Sequence, residues 1–245
     1  MTEQPSGERT FRCGRWRLPL WATICAAAAI VLMLGLSLWQ VQRLQWKEAL
    51  IAERQEGLSQ PVTMLPAAVA DPDLWSFRPV VATGTYDHGN EVFLGARSLR
   101  GNVGYHLVTP LVRADGSAVL VDRGWIPLNR RDPATRGDTL VAGEVTVAGI
   151  ARATGRRNWL TPDDSPEENF WFVVDIAAMG RHMGLGRVLP VYIEAAAGPE
   201  GTLPIGGQTR TELPNDHLQY AILWFLLALA LAVIYVVYVR GRSRP

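Results

Sequence analysis

Two stretches of this chain, residues 18–39 and 218–239, each run for 22 residues without an Asp, Glu, Lys or Arg. As helix, at about 1.5 Å per residue, each would reach roughly 33 Å, enough to cross the hydrocarbon core of a bilayer. A soluble domain rarely carries two such runs at opposite ends, because each would need protein packed around its whole circumference. Basic residues ahead of the first run, and the small-x-small triplet Gly35-Leu36-Ser37 inside it, resemble parts of a cleaved signal. A signal's apolar core is usually about 7–15 residues, however, so this longer run is read as a retained span.

The two runs divide the chain into a tail (1–17), a first span (18–39), a central domain (40–217), a second span (218–239) and a closing tail (240–245). Arg9, Arg12, Arg15 and Arg17 precede the first span, and Arg240, Arg242 and Arg244 follow the second. The positive-inside rule therefore predicts cytoplasmic termini and an extracytoplasmic central domain, against the weaker opposing pull of Arg43 and Lys47. The central domain has 17 basic and 21 acidic residues and no Cys; Cys13 lies in the tail and Cys25 in the first span. A disulfide framework and a thiolate metal site are thereby excluded from it. Its acidic balance, with no basic stripe, gives no basis for nucleic-acid binding.

Past Trp39, apolar Leu44, Ala49, Leu50 and Ile51 interleave with Arg43, Lys47, Glu48, Glu53 and Arg54, which predicts an amphipathic helical extension to about Glu56, stopped by Gly57 and Pro61. Strand patterns follow at 79–86, 91–97, 104–112, 118–126, 144–153, 170–175 and 188–194, with a short helix ending near Met183. Asp87-His88-Gly89-Asn90 reads as a hairpin turn. The expected fold is a membrane protein: two transmembrane α-helices flanking a mostly antiparallel, partly closed β domain with minor helix.

The residues with chemical interest lie where the spans meet the outer surface. His217, Tyr220, Ala221 and Trp224 share one helical face, as do Trp39, Arg43 and Trp46; Gln40 and Lys47 are also seven apart. Asn215 or Asp216 is placed to cap the second helix. Two readings of this cluster stay open. Trp and Tyr collect at membrane interfaces, and a neighbouring His can simply face headgroups. Alternatively, His217 ligates iron in a macrocycle, with Tyr220 and Trp224 stacking and Arg43 meeting its carboxylates. His88 in a turn is expected to be exposed; His106 falls in a strand and His182 in a helical stretch. Asp122, Asp163, Asp164, Glu167 and Glu168 read as surface charge. Gly124 reads as a position of unusual backbone angle, with Arg123 paired to a carboxylate. No nucleophile–base set stands out, so an enzyme is not expected.

Several blocks stand in order along the chain: Trp39-Gln40-Val41-Gln42-Arg43 with Trp46-Lys47 and Leu50-Ile51; Arg78-Pro79-Val80; Gly84, Tyr86 and Glu91; and Gly104-Tyr105-His106-Leu107-Val108-Thr109-Pro110. Val121-Asp122-Arg123-Gly124-Trp125-Ile126-Pro127 follows, then Trp171, Asp175, Pro204-Ile205-Gly206-Gly207-Gln208 and Asn215-Asp216-His217-Leu218-Gln219-Tyr220-Ala221. As an ordered set, these blocks resemble the surfeit-locus family of cytochrome c oxidase assembly factors. The departures are Asp122 and Asp216, where the family more often has other residues, and Leu223 ahead of the second-span Trp. The N-terminus, short and carrying Glu3 and Glu8, fits a mitochondrial presequence poorly, so the resemblance is to bacterial members.

The resemblance implies a cell inner membrane chaperone of respiratory-chain biogenesis that helps fill the heme a sites of the oxidase catalytic subunit. It implies heme a as a transient cofactor with His217 as the iron ligand; the residue pattern at the span ends would put Trp39, Arg43, Tyr220 and Trp224 around it, between the two transmembrane helices. The catalytic subunit, heme a synthase and the lipid bilayer are the implied partners. The competing expectation is a structural scaffold for oxidase subunits that binds no heme.

Overall fold

The computed structural model describes residues 10–13, 16–211 and 213–242. Arg9, Arg15 and Arg244, counted above for orientation, lie outside the described residues, as do Glu3 and Glu8. The chain forms two compact units. One holds the residues up to Ile51 together with those after Glu212; the other is Ala52–Thr211.

In the first unit, strands β1 (Thr10–Cys13) and β2 (Trp16–Pro19) pair antiparallel just ahead of helix α1 (Leu20–Ser59). Residues 18 and 19, counted above with the first span, are thus the end of a strand. Helix α3 (His217–Arg242) is the other long element. Both helices are long and apolar enough to cross a membrane. Their outward faces expose Trp21, Val31, Leu32, Leu38, Ile234 and Val237, side chains that water would not tolerate as a continuous surface but lipid would. The helical extension past Trp39 is borne out, yet Gly57 does not end it. Lacking a side chain, Gly57 lets the last turns lie against Ser76 and Phe77, where an added Cβ would sit 3.1 Å from the Ser76 carbonyl oxygen. The helix ends at Ser59, just before Pro61, whose ring cannot continue it.

The second unit is built on one eight-stranded sheet. Its strands are β3 (Thr63–Met64), β4 (Pro79–Tyr86), β5 (Val92–Leu99), β6 (Asn102–Val112), β7 (Ala118–Pro127), β8 (Glu144–Ala153), β9 (Phe170–Trp171) and β10 (Val188–Ala195). Hydrogen bonds join them in the order β3-β4-β8-β10-β7-β6-β5-β9. A further pairing of β4 with β6, Thr85 opposite Val112 and Tyr86 opposite Leu111, closes five strands into a barrel. Most pairs are antiparallel; β3–β4, β7–β10 and β5–β9 are parallel.

Two expectations need correction. Residues 87–90 form no hairpin, because β4 and β5 are not neighbours. Both lie along the same edge of β6, β5 opposite residues 102–108 and β4 opposite 111–112, and the turn between them carries the chain along that edge. Asp87 tightens it by accepting from the Gly89 amide and the Asn90 side chain. The strand expected over 170–175 stops at Trp171, since Asp175 instead caps helix α2 (Ile176–His182) by accepting from the Ala178 amide at 2.9 Å.

The barrel interior is filled by Val80, Ala82, Leu111, Val119, Val121, Val147, Val191 and Ile193. A second cluster lies outside the wall, where Val92, Leu94, Val108, Leu120 and Tyr192 meet Trp171, Ile176 and Met179. Strand β7 serves both: Val119 and Val121 point one way and Leu120 the other, as the pleat requires, so Ala118–Ile126 is buried throughout.

Candidate functional site

In the helix pair, α1 and α3 are bonded at three levels. Thr23 donates to the Pro19 carbonyl at 2.8 Å, so the 2.5 Å contact between its hydroxyl and that of Tyr235 has the tyrosine as donor. The Ser37 hydroxyl donates to the Ala221 carbonyl at 2.9 Å. Ala221 and Ala228 are buried, and small side chains let two helices in an apolar setting approach closely. At the third level His217 Nδ1 lies 2.7 Å from Gln40 Oε1. Gln40 is the one buried residue of the 40-residue α1 among those described. Among the described residues, His217 Nε2 has no hydrogen-bond partner.

The structure thus brings His217 to α1, through Gln40. Trp39 and Tyr220 stay about half exposed, at 53% and 51%, and Trp224 is half-buried. The exposed Arg43 guanidinium stacks on Trp46, 4.0 Å from the ring centroid. Among the described residues no hydrogen bond or ring contact joins His217 to Arg43, Trp39, Tyr220 or Trp224. Asn215 does not cap α3: its Oδ1 is buried without a partner, while the Asp216 carbonyl accepts from the Tyr220 amide.

The barrel carries a denser polar site, which sequence reasoning largely missed. Glu91, just ahead of β5, is 6% exposed. Its Oε1 receives His88 Nδ1 at 2.8 Å, the Thr109 hydroxyl at 3.0 Å and Arg123 Nη1 at 3.3 Å, while Oε2 meets Arg136 Nη1. Arg123 also donates to the Thr139 carbonyl and covers the Tyr86 ring at 4.7 Å. Burial lowers the Arg123 pKa from its usual value, partly opposed by Tyr86 and Glu91, and burial raises that of Tyr86. His88 is therefore not the exposed turn residue expected: its Nε2 lies 3.1 Å from the Val141 amide, so the ring ties residues 88–91 to the segment after β7.

Arg123 does pair with a carboxylate, and Gly124 does adopt a backbone angle closed to other residues, φ +115°. Its bare Cα admits the Ile205 carbonyl, which would lie 2.1 Å from a Cβ and which bonds the Trp125 amide at 2.9 Å. Asp122 is not surface charge. It is buried, bonded to His106 Nδ1 at 2.8 Å and to the Gly124 amide at 3.0 Å. Asp164 is likewise engaged, by Arg157 and by the Phe172 amide. The signal that could have found Glu91 is a charge within a run that is otherwise apolar: Glu91 before Val92-Phe93-Leu94, and Arg123 inside β7, each demand a buried counter-charge. Among the described residues no group of three or more His, Cys, Asp or Glu converges as a metal site would require.

Two membrane-length helices, bonded through Gln40 and a histidine that opens the second of them, with a closed β-barrel inserted between them in sequence, define a two-span membrane protein with a sheet domain. The family model for the SURF1 family matches residues 27–229, which takes in the barrel, most of α1 and the first half of α3. Surfeit locus protein 1 of Mus musculus is 37% identical over 80% of this chain and 68% of its own length, and that of Homo sapiens 37% over 80% and 70%. A SURF1-like protein of Monosiga brevicollis is 35% identical over 81% of this chain and 80% of its own length. The chain belongs to the SURF1 family, known as cytochrome c oxidase assembly factors.

Proposed function

We propose that this chain, seated in the inner membrane with its barrel outside the cytoplasm, assists insertion of heme a into the oxidase catalytic subunit. His217 serves as the transient iron ligand. The observation that carries this reading is the placement of His217: one ring nitrogen is tied to a buried Gln40, the other is free, and half-exposed Trp39 and Tyr220 lie near the same level of the two helices. The donor chemistry fits, since imidazole is a common heme ligand and aromatic faces suit a flat apolar group. Arg43 is exposed on the next turn of α1 and can meet carboxylates. The helices touch at Ser37 and Ala221, which leaves His217, at the first residue of α3, as the accessible ligand. When bound, the iron supplies the redox chemistry; the chain shields the cofactor, orients it and releases it to a site with more ligands. No catalysis by the chain itself is proposed.

The test compares absorbance spectra of detergent-purified protein from cells making heme a, wild type against His217→Ala. Loss of the heme band in the variant is expected; equal occupancy would remove His217 as the ligand.

A scaffold role without heme has one observation in its favour. Trp159 and Leu160 are 90% and 68% exposed in a loop where Asn158 accepts from the Leu160 amide and Arg157 pairs with Asp164. Tryptophan is among the residues that most often anchor protein contacts. If this reading holds, Trp159→Ala reduces co-purification of the catalytic subunit while His217→Ala leaves it intact. Arg123, being buried, can affect docking only through the fold.

A further inference from the structure

We infer that Gln40 is a positioning residue: it holds His217 in the Nδ1–H form, so that the Nε2 lone pair faces outward as the only ligating atom of the ring. The inference rests on the metal-ligand reading of His217 but is tested separately from it.

The argument starts from what each atom can do. A carboxamide oxygen only accepts, so the proton in the 2.7 Å contact belongs to His217 Nδ1. A neutral imidazole carries a single proton, and with that proton on Nδ1 the lone pair is on Nε2. Water leaves a histidine free to exchange between its two forms. With its oxygen turned to the ring, Gln40 favours the Nδ1–H form; the other form would require the buried carboxamide to turn over and present its NH2 instead. Gln40 is suited to this task by burial. It is the one buried residue described in α1, and a buried carboxamide on a helix of that composition is costly unless bonded. No local need of α1 accounts for it, since the helix continues unbroken for another nineteen residues. The two partners are 177 positions apart, one on each helix, so the bond also fixes the ring against rotation about its side-chain torsions.

The experiment uses heme-free, full-length protein in detergent with 15N-labelled histidine. The His217 signals are assigned by their absence in His217→Ala. A protonated Nδ1 and an unprotonated Nε2 are expected in the wild type. Gln40→Leu should move the ring toward Nε2–H, and Gln40→Glu, which keeps an acceptor, should hold Nδ1–H. An Nε2–H ring in the wild type, or one indifferent to Gln40→Leu, overturns the inference; the wild-type spectrum alone decides if the leucine variant fails to accumulate. The second arm titrates ferric heme into the same proteins. Affinity should fall about 10–100-fold in Gln40→Leu, as is usual for loss of a ligand's orienting partner, and recover in Gln40→Glu. Equal affinity of wild type and Gln40→Leu would end the positioning role. Equal affinity of wild type and His217→Ala would end the ligand reading itself, whatever the ring's protonation.

Discussion

The helix pair and the barrel bury polar groups in opposite ways. Between α1 and α3 the polar contacts come one at a time, Thr23 with Tyr235, Ser37 with Ala221, Gln40 with His217. In the barrel a single carboxylate, Glu91, gathers a histidine, a threonine and two arginines. The second pattern joins several groups at one carboxylate and fastens the chain segments that supply them. The first leaves one ring nitrogen unused. Polarity in the barrel locks segments together, whereas in the helix pair it leaves the His217 Nε2 atom without a partner among the described residues.

The largest test of that contrast is Glu91→Ala. Removing the carboxylate strands two buried guanidiniums, which should destabilise the barrel by about 3–5 kcal/mol, read as a drop in thermal midpoint of the purified protein. His217→Ala, which unbonds only the Gln40 carboxamide, should lower that midpoint far less; a similar loss in both would erase the distinction. Gly124→Ala comes next, at about 3 kcal/mol, because the new methyl meets the Ile205 carbonyl at a backbone angle an L-residue rarely adopts. Urea denaturation would reveal it, and a neutral result would mean that the Trp125–Ile205 bridge is dispensable.

Tyr192→Phe should cost about 1 kcal/mol at neutral pH, through loss of the bond to Glu194. Its larger signature is alkaline. Burial, then the Glu194 charge, raises the Tyr192 pKa above the usual 10.0. The unfolded chain loses that proton first, so the stability linked to it is complete below about pH 10 and is lost as pH rises toward the folded value. The variant should flatten this alkaline decline in a pH series of melts. Smallest is Ser37→Ala, at about 0.6 kcal/mol, the usual worth of one hydrogen bond between membrane helices. A steric-trap measurement in bicelles could resolve it; an effect of several kcal/mol would show that the helix pair, too, depends on its polar contacts.

The same contrast explains what could be read from the sequence. The spans were legible because a charge-free run needs no knowledge of its partner. Strands 79–86 and 144–153 were legible from Val and Thr on a half-buried surface, and both match β4 and β8 to the residue. A partly closed sheet was expected, but the strands that close it were not legible, because closure rests on two residue pairs between β4 and β6. Glu91 reads from sequence as the start of a strand and part of a family pattern, not as a buried charge, since its partner Arg123 lies 32 residues away and its role exists only after folding. Asp122 was misjudged for a related reason: a carboxylate next to an arginine looks like surface until β7 is seen to be buried on both faces. His217 is legible from its aromatic neighbours, but neither the spacing of Gln40 nor its place in the family pattern reveals that it touches His217. A single bond across 177 positions leaves no local trace.

Ring closure also governs how the barrel can meet other proteins. A sheet with a long open margin invites a foreign strand to join it. Here the terminal strands β3 and β9 are two residues long, and the stretch of β5 beyond its pairing with β9 carries Arg97, with Arg100 just after it. Such a rim is a poor template for another backbone. A foreign chain with unpaired strands of its own would find little backbone on this rim to pair with.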